Sequence, residues 1–105
     1  MFRTCLVAIT LLLGSASALA AEYWIDVRIP EQYQTEHIDG AINIPLKQLK
    51  EDVGHQVKNK DDTLHLYCNS GRQSGIAKQA LLDMGYTNVL NEGGIDRVKE
   101  RLNAK

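Results

Sequence analysis

Between residues 63 and 85 the chain changes its apolar period, and that change narrows the fold more than any other feature. Thr63-Leu64-His65-Leu66-Tyr67 is β-prone and runs straight into Cys68. Asn69-Ser70-Gly71-Arg72-Gln73-Ser74-Gly75 is a polar, glycine-bearing turn. Ile76, Ala77, Ala80, Leu81 and Met84 then line one side of a predicted helix, with Gly85 placed to stop it. The same alternation occurs elsewhere. Trp24-Ile25-Asp26-Val27 reads as a strand stopped by Arg28-Ile29-Pro30, and a short helix starts at Pro30. Ala41-Ile42-Asn43-Ile44 reads as a second strand ended by Pro45, and Leu46, Leu49 and Val53 fall on one helical face. Val89-Leu90 is another short strand, Gly93-Gly94 a tight turn, and Ile95, Val98 and Leu102 mark a last amphipathic helix. Strands separated by helices belong to the α/β class, with a parallel sheet covered on both faces. Ligands of such sheets sit outside the carboxyl ends of the strands, where the pattern puts Cys68.

The first 20 residues stand apart. Met1-Phe2-Arg3 is a short positive start, Cys5 to Leu13 an apolar run of nine, and Ala18-Leu19-Ala20 a small-residue cleavage site. This is the layout of a secretory signal peptide; the other reading is a short N-terminal core helix. The expected organisation is therefore a removed signal peptide at residues 1–20 and one domain at 21–105, exported to the periplasm. A nine-residue run is too short to span a bilayer, and no lasting membrane association is expected after cleavage. The full chain carries 12 basic and 13 acidic residues, a balance that offers nothing to nucleic acid.

Cleavage would remove Cys5 and leave Cys68 as the only cysteine of an exported protein. An internal disulfide and a C-x-x-C redox role are then both excluded. An odd cysteine is either a buried filler or a free thiol kept for its chemistry. A free cysteine, with a pKa of about 8.5, is only a few per cent thiolate at neutral pH, so nucleophilic work needs a lower value. The loop from Asn69 to Ser74 offers two means: N–H groups converging at a helix N-terminus, and the Arg72 cation. The same cradle would hold an incoming oxyanion. The other reading of Arg72 is a solvated surface charge.

Ile25-Asp26-Val27-Arg28, Tyr33-x-x-x-His37-Ile38-x-Gly40-Ala41-Ile42-Asn43-Ile44-Pro45, Tyr67-Cys68-Asn69-Ser70-Gly71-Arg72-Gln73-Ser74, Gly85-Tyr86-x-x-Val89 and Gly93-Gly94 together resemble the motif series of a rhodanese domain. The resemblance runs from about Trp24 to the last helix. It implies a small five-stranded parallel sheet flanked by helices, and thiosulfate sulfurtransferase activity. It also implies a thiolate at Cys68 that takes the outer sulfur of thiosulfate and passes it to cyanide or a thiol. Asn69, Ser70, Gly71, Arg72, Gln73 and Ser74 would form the substrate-binding loop. No metal or organic cofactor is implied, because the cysteine carries the group. A monomer is expected.

Other residues invite catalytic readings. His37 could serve as a base, but a structural histidine with its tautomer fixed by backbone bonds is favoured. Asp26 and Arg28 are read as organisers of the first turn. A cysteine-loop phosphatase or arsenate reductase needs an arginine six residues after the cysteine, where this chain has Ser74. A non-catalytic binding module or a sulfur carrier of the same fold remains as an alternative.

Overall fold

The computed structural model describes residues 20–103; the apolar run, Cys5 and nearly all of the expected signal peptide lie outside the described residues. Within them the chain alternates β1 (Glu22–Asp26), α1 (Pro30–Thr35), β2 (Ile42–Asn43), a 3-10 turn (Leu46–Gln48) leading into α2 (Leu49–Gln56), β3 (Thr63–Cys68), α3 (Arg72–Asp83), β4 (Asn88–Gly94) and α4 (Ile95–Asn103). The four strands form one sheet in the order β2-β1-β3-β4, and every neighbouring pair is parallel. These are the four strands legible in the sequence. The fifth, implied by the family resemblance, is not among the described residues.

Strand alternation sorts the side chains onto two faces. Ile25, Val27, Leu64, Leu66 and Cys68 point to one face and pack with Leu49 and Val53 of α2 and Ala77 and Leu81 of α3. Trp24 and Tyr67 point to the other, against Ile38, Ala41, and Ile95 and Val98 of α4. Burying a side chain such as Leu66 or Leu81 fully stabilises the fold by about 1.5–3 kcal/mol. Both polar ends of the buried tyrosines are satisfied: Tyr67 Oη accepts the Ile38 N–H at 3.0 Å, and Tyr86 Oη donates to the Val57 carbonyl at 2.7 Å.

Three sequence expectations change in detail. Ile76 is 50% exposed, because the buried stripe of α3 runs through Ser74, Ala77 and Leu81. Each residue turns the helix by about 100°, which carries Ile76 off that stripe. Leu102, in the last turn of α4, is 42% exposed. Gly93 and Gly94 are not a free turn but the end of β4, paired with Tyr67 and Cys68. The register slips between Leu66 and Tyr67, so that Asn91 opposes Leu66 while Gly93 opposes Tyr67, and Glu92 is the extra residue of a β-bulge.

Candidate active site

The strand order reverses direction at one place. The chain goes from β1 outward to β2, then crosses back to β3 on the other side of β1. The carboxyl ends of β1 and β3 therefore border the switch point, where open α/β sheets bind ligands. Cys68 is the last residue of β3, and the turn after β1 is its neighbour.

Cys68 is free and 1% exposed. Its Sγ accepts the N–H of Gly71 at 3.0 Å and that of Ser74 at 3.4 Å, and the Ser74 hydroxyl oxygen lies 3.4 Å away. Burial by itself pushes the thiol pKa up. For the thiolate, hydrogen bonds from the Ser74 hydroxyl, once turned to the sulfur, from the Ser74 N–H and from the backbone at Ser70 and Gly71 outweigh it, and the net shift is downward. The loop can take this shape because Gly71, the residue before α3, has φ +97, and a Cβ there would also lie 3.3 Å from the Gly93 Cα. Gly94 meets a second constraint: a Cβ would lie 2.3 Å from the Asn69 carbonyl oxygen. The end of β4 thus presses against the loop backbone with no room for a side chain.

The expected loop residues do not all meet at the sulfur. Gly71 and Ser74 do, through the bonds above, and Ser70 through its backbone. The Asn69 side chain turns to the neighbouring turn, accepting from Arg28 Nη1 at 3.5 Å and donating to Gln32 Oε1 at 3.2 Å. Gln73 borders a cleft of about 340 Å³ with Ile29, Pro30, Pro45 and Leu46. Arg72 is exposed and makes no side-chain hydrogen bond or ion pair among the described residues. Of the two means of favouring thiolate read from the sequence, the N–H groups reach the sulfur and the Arg72 charge does not.

Asp26 and Arg28 organise the first turn, as expected. Asp26 is fully buried, and its carboxylate receives Arg28 Nη2 at 2.7 Å, Arg28 Nε at 3.0 Å and the Arg28 N–H at 2.9 Å. His37 is held away from chemistry: its ring stacks on Tyr33 at 3.8 Å, and Nδ1 donates to the Tyr33 carbonyl at 2.7 Å. Among the described residues no three His, Cys, Asp or Glu side chains come together as a metal site.

One residue was not singled out by sequence. Asn91, at the bulge of β4, donates from Nδ2 to the Gly71 carbonyl at 3.0 Å, and its Oδ1 accepts from the Ser74 hydroxyl at 2.6 Å and the Gly93 N–H at 3.0 Å. The regular register before the bulge brings it there, opposite Leu66 and on the same strand face as Val89, but an isolated Asn near a strand end carries no functional signal by itself.

A small parallel sheet with a thiol cradled by N–H groups at its switch point is an arrangement suited to taking up and releasing an anionic group. The chain belongs to the rhodanese-like domain family, whose sequence model matches residues 12–101. It is 57% identical to the thiosulfate sulfurtransferase PspE of Escherichia coli strain K12, over 90% of this chain and 90% of that one. Among solved structures, a rhodanese with anions from E. coli superposes with a TM-score of 0.71 at 61% identity, covering 73% of this chain and 91% of that one. The human single-domain sulfurtransferase TSTD1 shares the fold, with a TM-score of 0.64 at 24% identity over 95% of this chain and 94% of that one.

Proposed function

We propose that the protein is a thiosulfate sulfurtransferase working through a persulfide on Cys68. The observation that carries this is the Cys68 sulfur, receiving the N–H groups of Gly71 and Ser74 at the head of α3. High identity to a named thiosulfate sulfurtransferase supports the donor. The thiolate attacks the outer sulfur of thiosulfate, an S–S bond forms to Sγ, and the old S–S bond breaks with its electron pair leaving on sulfite. Cyanide or a thiolate then attacks the outer sulfur of the persulfide, giving thiocyanate or a new persulfide and returning Cys68 as thiolate. The N–H groups stabilise the anion at each stage without moving. Exposed Arg72, with Asn69, Ser70 and Gln73 beside it, meets the sulfonate end of the donor, a task for which a cation open to solvent is suited.

The reading is tested by intact mass. Thiosulfate should add one sulfur atom to the protein, and cyanide should remove it. Cys68→Ser should abolish both the adduct and turnover, since an unactivated hydroxyl is a poor nucleophile. Turnover near the wild-type rate in pure Cys68→Ser protein would overturn the mechanism, and a wild-type protein with neither adduct nor turnover would favour a binding module. The protein acts in this reading as an exported, periplasmic monomer cleaved after Ala20, for which the Arg3 start and Ala18-Leu19-Ala20 are the support. N-terminal sequencing of the protein from a periplasmic extract checks this; Met1 on most of the soluble protein would refute it.

A further inference from the structure

Ser74 is fully buried, and its hydroxyl has two neighbours, the Cys68 sulfur at 3.4 Å and Asn91 Oδ1 at 2.6 Å. The identity of the Asn91 atoms is fixed by their partners. Nδ2 faces the Gly71 carbonyl, which can only accept, and Oδ1 faces the Gly93 N–H, which can only donate. Oδ1 therefore has no hydrogen to offer, and the short contact to Ser74 requires the hydroxyl hydrogen to point at Asn91. With that hydrogen committed, the Ser74 oxygen turns a lone pair to Cys68. It can accept the S–H of the thiol, but it can support a thiolate only if the hydroxyl rotates and leaves Asn91.

We propose that Asn91 is a positioning residue for Cys68, setting how readily the thiol ionises by competing with the sulfur for the single hydroxyl hydrogen of Ser74. The proposal rests on Cys68 being the nucleophile. Asn91 touches neither the sulfur nor, on this reading, the substrate; it acts through Ser74. In the thiol state the chain of donors runs from Cys68 Sγ to Ser74 Oγ to Asn91 Oδ1. In the thiolate state the hydroxyl turns to Sγ, and Asn91 Oδ1 keeps the Gly93 N–H. The two Cys68 N–H bonds are present in both states, so the hydroxyl is the one element of the cradle that changes sides. Charged and titratable groups on the packed elements do not intervene. Asp26 and Arg28 after β1 are paired with each other, Glu92 in β4 is bound to His65 and Arg101, Tyr67 is tied to Ile38, and Arg72 is exposed on α3. None of them is a hydrogen-bond partner of Sγ.

Asn91 also clasps the Gly71 carbonyl, so its removal has a second effect on the loop, and a double-mutant cycle separates the two. The rate of alkylation by iodoacetamide, followed on the Cys68 peptide by mass across pH, reports the thiolate fraction in wild type, Asn91→Ala, Ser74→Ala and the double variant. With Ser74 present, Asn91→Ala frees the hydroxyl for the thiolate. With Ser74→Ala, it reports only the loosened loop. The inflection should therefore move lower, relative to its parent, in the Ser74 background than in the Ser74→Ala background. The expected difference is about half to one pH unit, the size of one net hydrogen bond. Equal shifts in the two backgrounds, or a difference of opposite sign, overturn the proposal. Asn91→Leu, which keeps the branched shape without the amide, replaces the alanine variant should that one fail to fold. Alkylation needs no thiosulfate, so a failed cycle leaves the sulfur-transfer reading to be judged by its own mass measurement.

Discussion

Two strand-to-helix turns lie side by side at the switch point of this sheet, and they are fixed by opposite means. The turn after β1 is closed by side chains. Asp26 and Arg28 form a buried ion pair, Arg28 Nη2 also donates to the Glu36 carbonyl at 2.6 Å, and Asn43 Nδ2 takes the carbonyls of Asp26 and Arg28 at 3.0 and 2.9 Å. The turn after β3 is shaped by glycine and backbone contact, and its N–H groups converge on a sulfur. Asn69 joins the two through the 3.5 Å contact to Arg28. A turn whose polar groups are consumed internally can be rigid but cannot bind. A turn that leaves N–H groups for a ligand must be braced from outside, and here the ionic turn on one side and the end of β4 on the other supply the bracing.

The two arginines make the contrast measurable. Arg28 is buried against a buried carboxylate, and the Asp26 hydrogen bond raises its pKa despite burial. Arg28→Ala leaves the Asp26 carboxylate uncompensated, and chemical denaturation should show a loss of about 3–5 kcal/mol. A loss below about 1 kcal/mol would mean that the turn is held by Asn43 and the backbone rather than by charge. Arg72→Ala should do the reverse. Stability should stay within about 0.5 kcal/mol of wild type, as for exposed side chains without partners. Thiosulfate turnover should fall roughly ten- to a hundred-fold, the worth of one charge-assisted contact of about 1.5–3 kcal/mol. Unchanged kinetics would show that N–H groups alone hold the donor.

Gly94 tests the bracing from the other side. Its missing Cβ is what lets β4 press on Asn69, so Gly94→Ala must push the loop or the strand end aside. The expected cost is about 1–3 kcal/mol of stability, as for overpacking elsewhere. A slower sulfur-addition step should accompany it, because the displaced residues, Asn69 and Ser70, adjoin the Gly71 N–H. Retained rate in a destabilised variant would separate the brace from the cradle.

The strands, their order of appearance and the place of Cys68 follow from local patterns that the sequence displays openly. A β-prone run meeting a glycine loop and an amphipathic helix has few other foldings, and the paired Asp26 and Arg28 sit two apart in a motif. What the pattern does not show is register. The alignment of β4 with β3 sets Asn91 against Ser74, and the bulge at Glu92 lays Gly93-Gly94 along the strand, where the sequence suggested a turn. Both consequences depend on how two distant strands align, which neither residue encodes in its neighbourhood. Arg72 illustrates the converse. Its loop position suggests a charge near the sulfur, yet a side chain in the first turn of a helix can also face solvent, and there it lies.

The smallest effect concerns the sulfur itself and discriminates the two turns most finely. In the folded protein the Cys68 pKa lies below its ordinary value because hydrogen bonds to the thiolate outweigh burial. In the unfolded chain the same thiol returns to about 8.5. Alkylation of the Cys68 peptide should therefore inflect at lower pH in native protein than in denaturant. By linkage, the thiolate's contribution to stability is fully present above the unfolded value and is lost as pH falls through the folded one. Wild type should thus gain stability over Cys68→Ser as pH rises towards about 8.5, by roughly 1.4 kcal/mol for each unit between the two values. The turn after β1 holds no thiol, and its Arg28 stays charged throughout that window, its pKa raised by the Asp26 hydrogen bond. An inflection in the native protein at or above the denatured one would mean that burial wins at Cys68, and that the two turns differ in shape but not in what they do to charge.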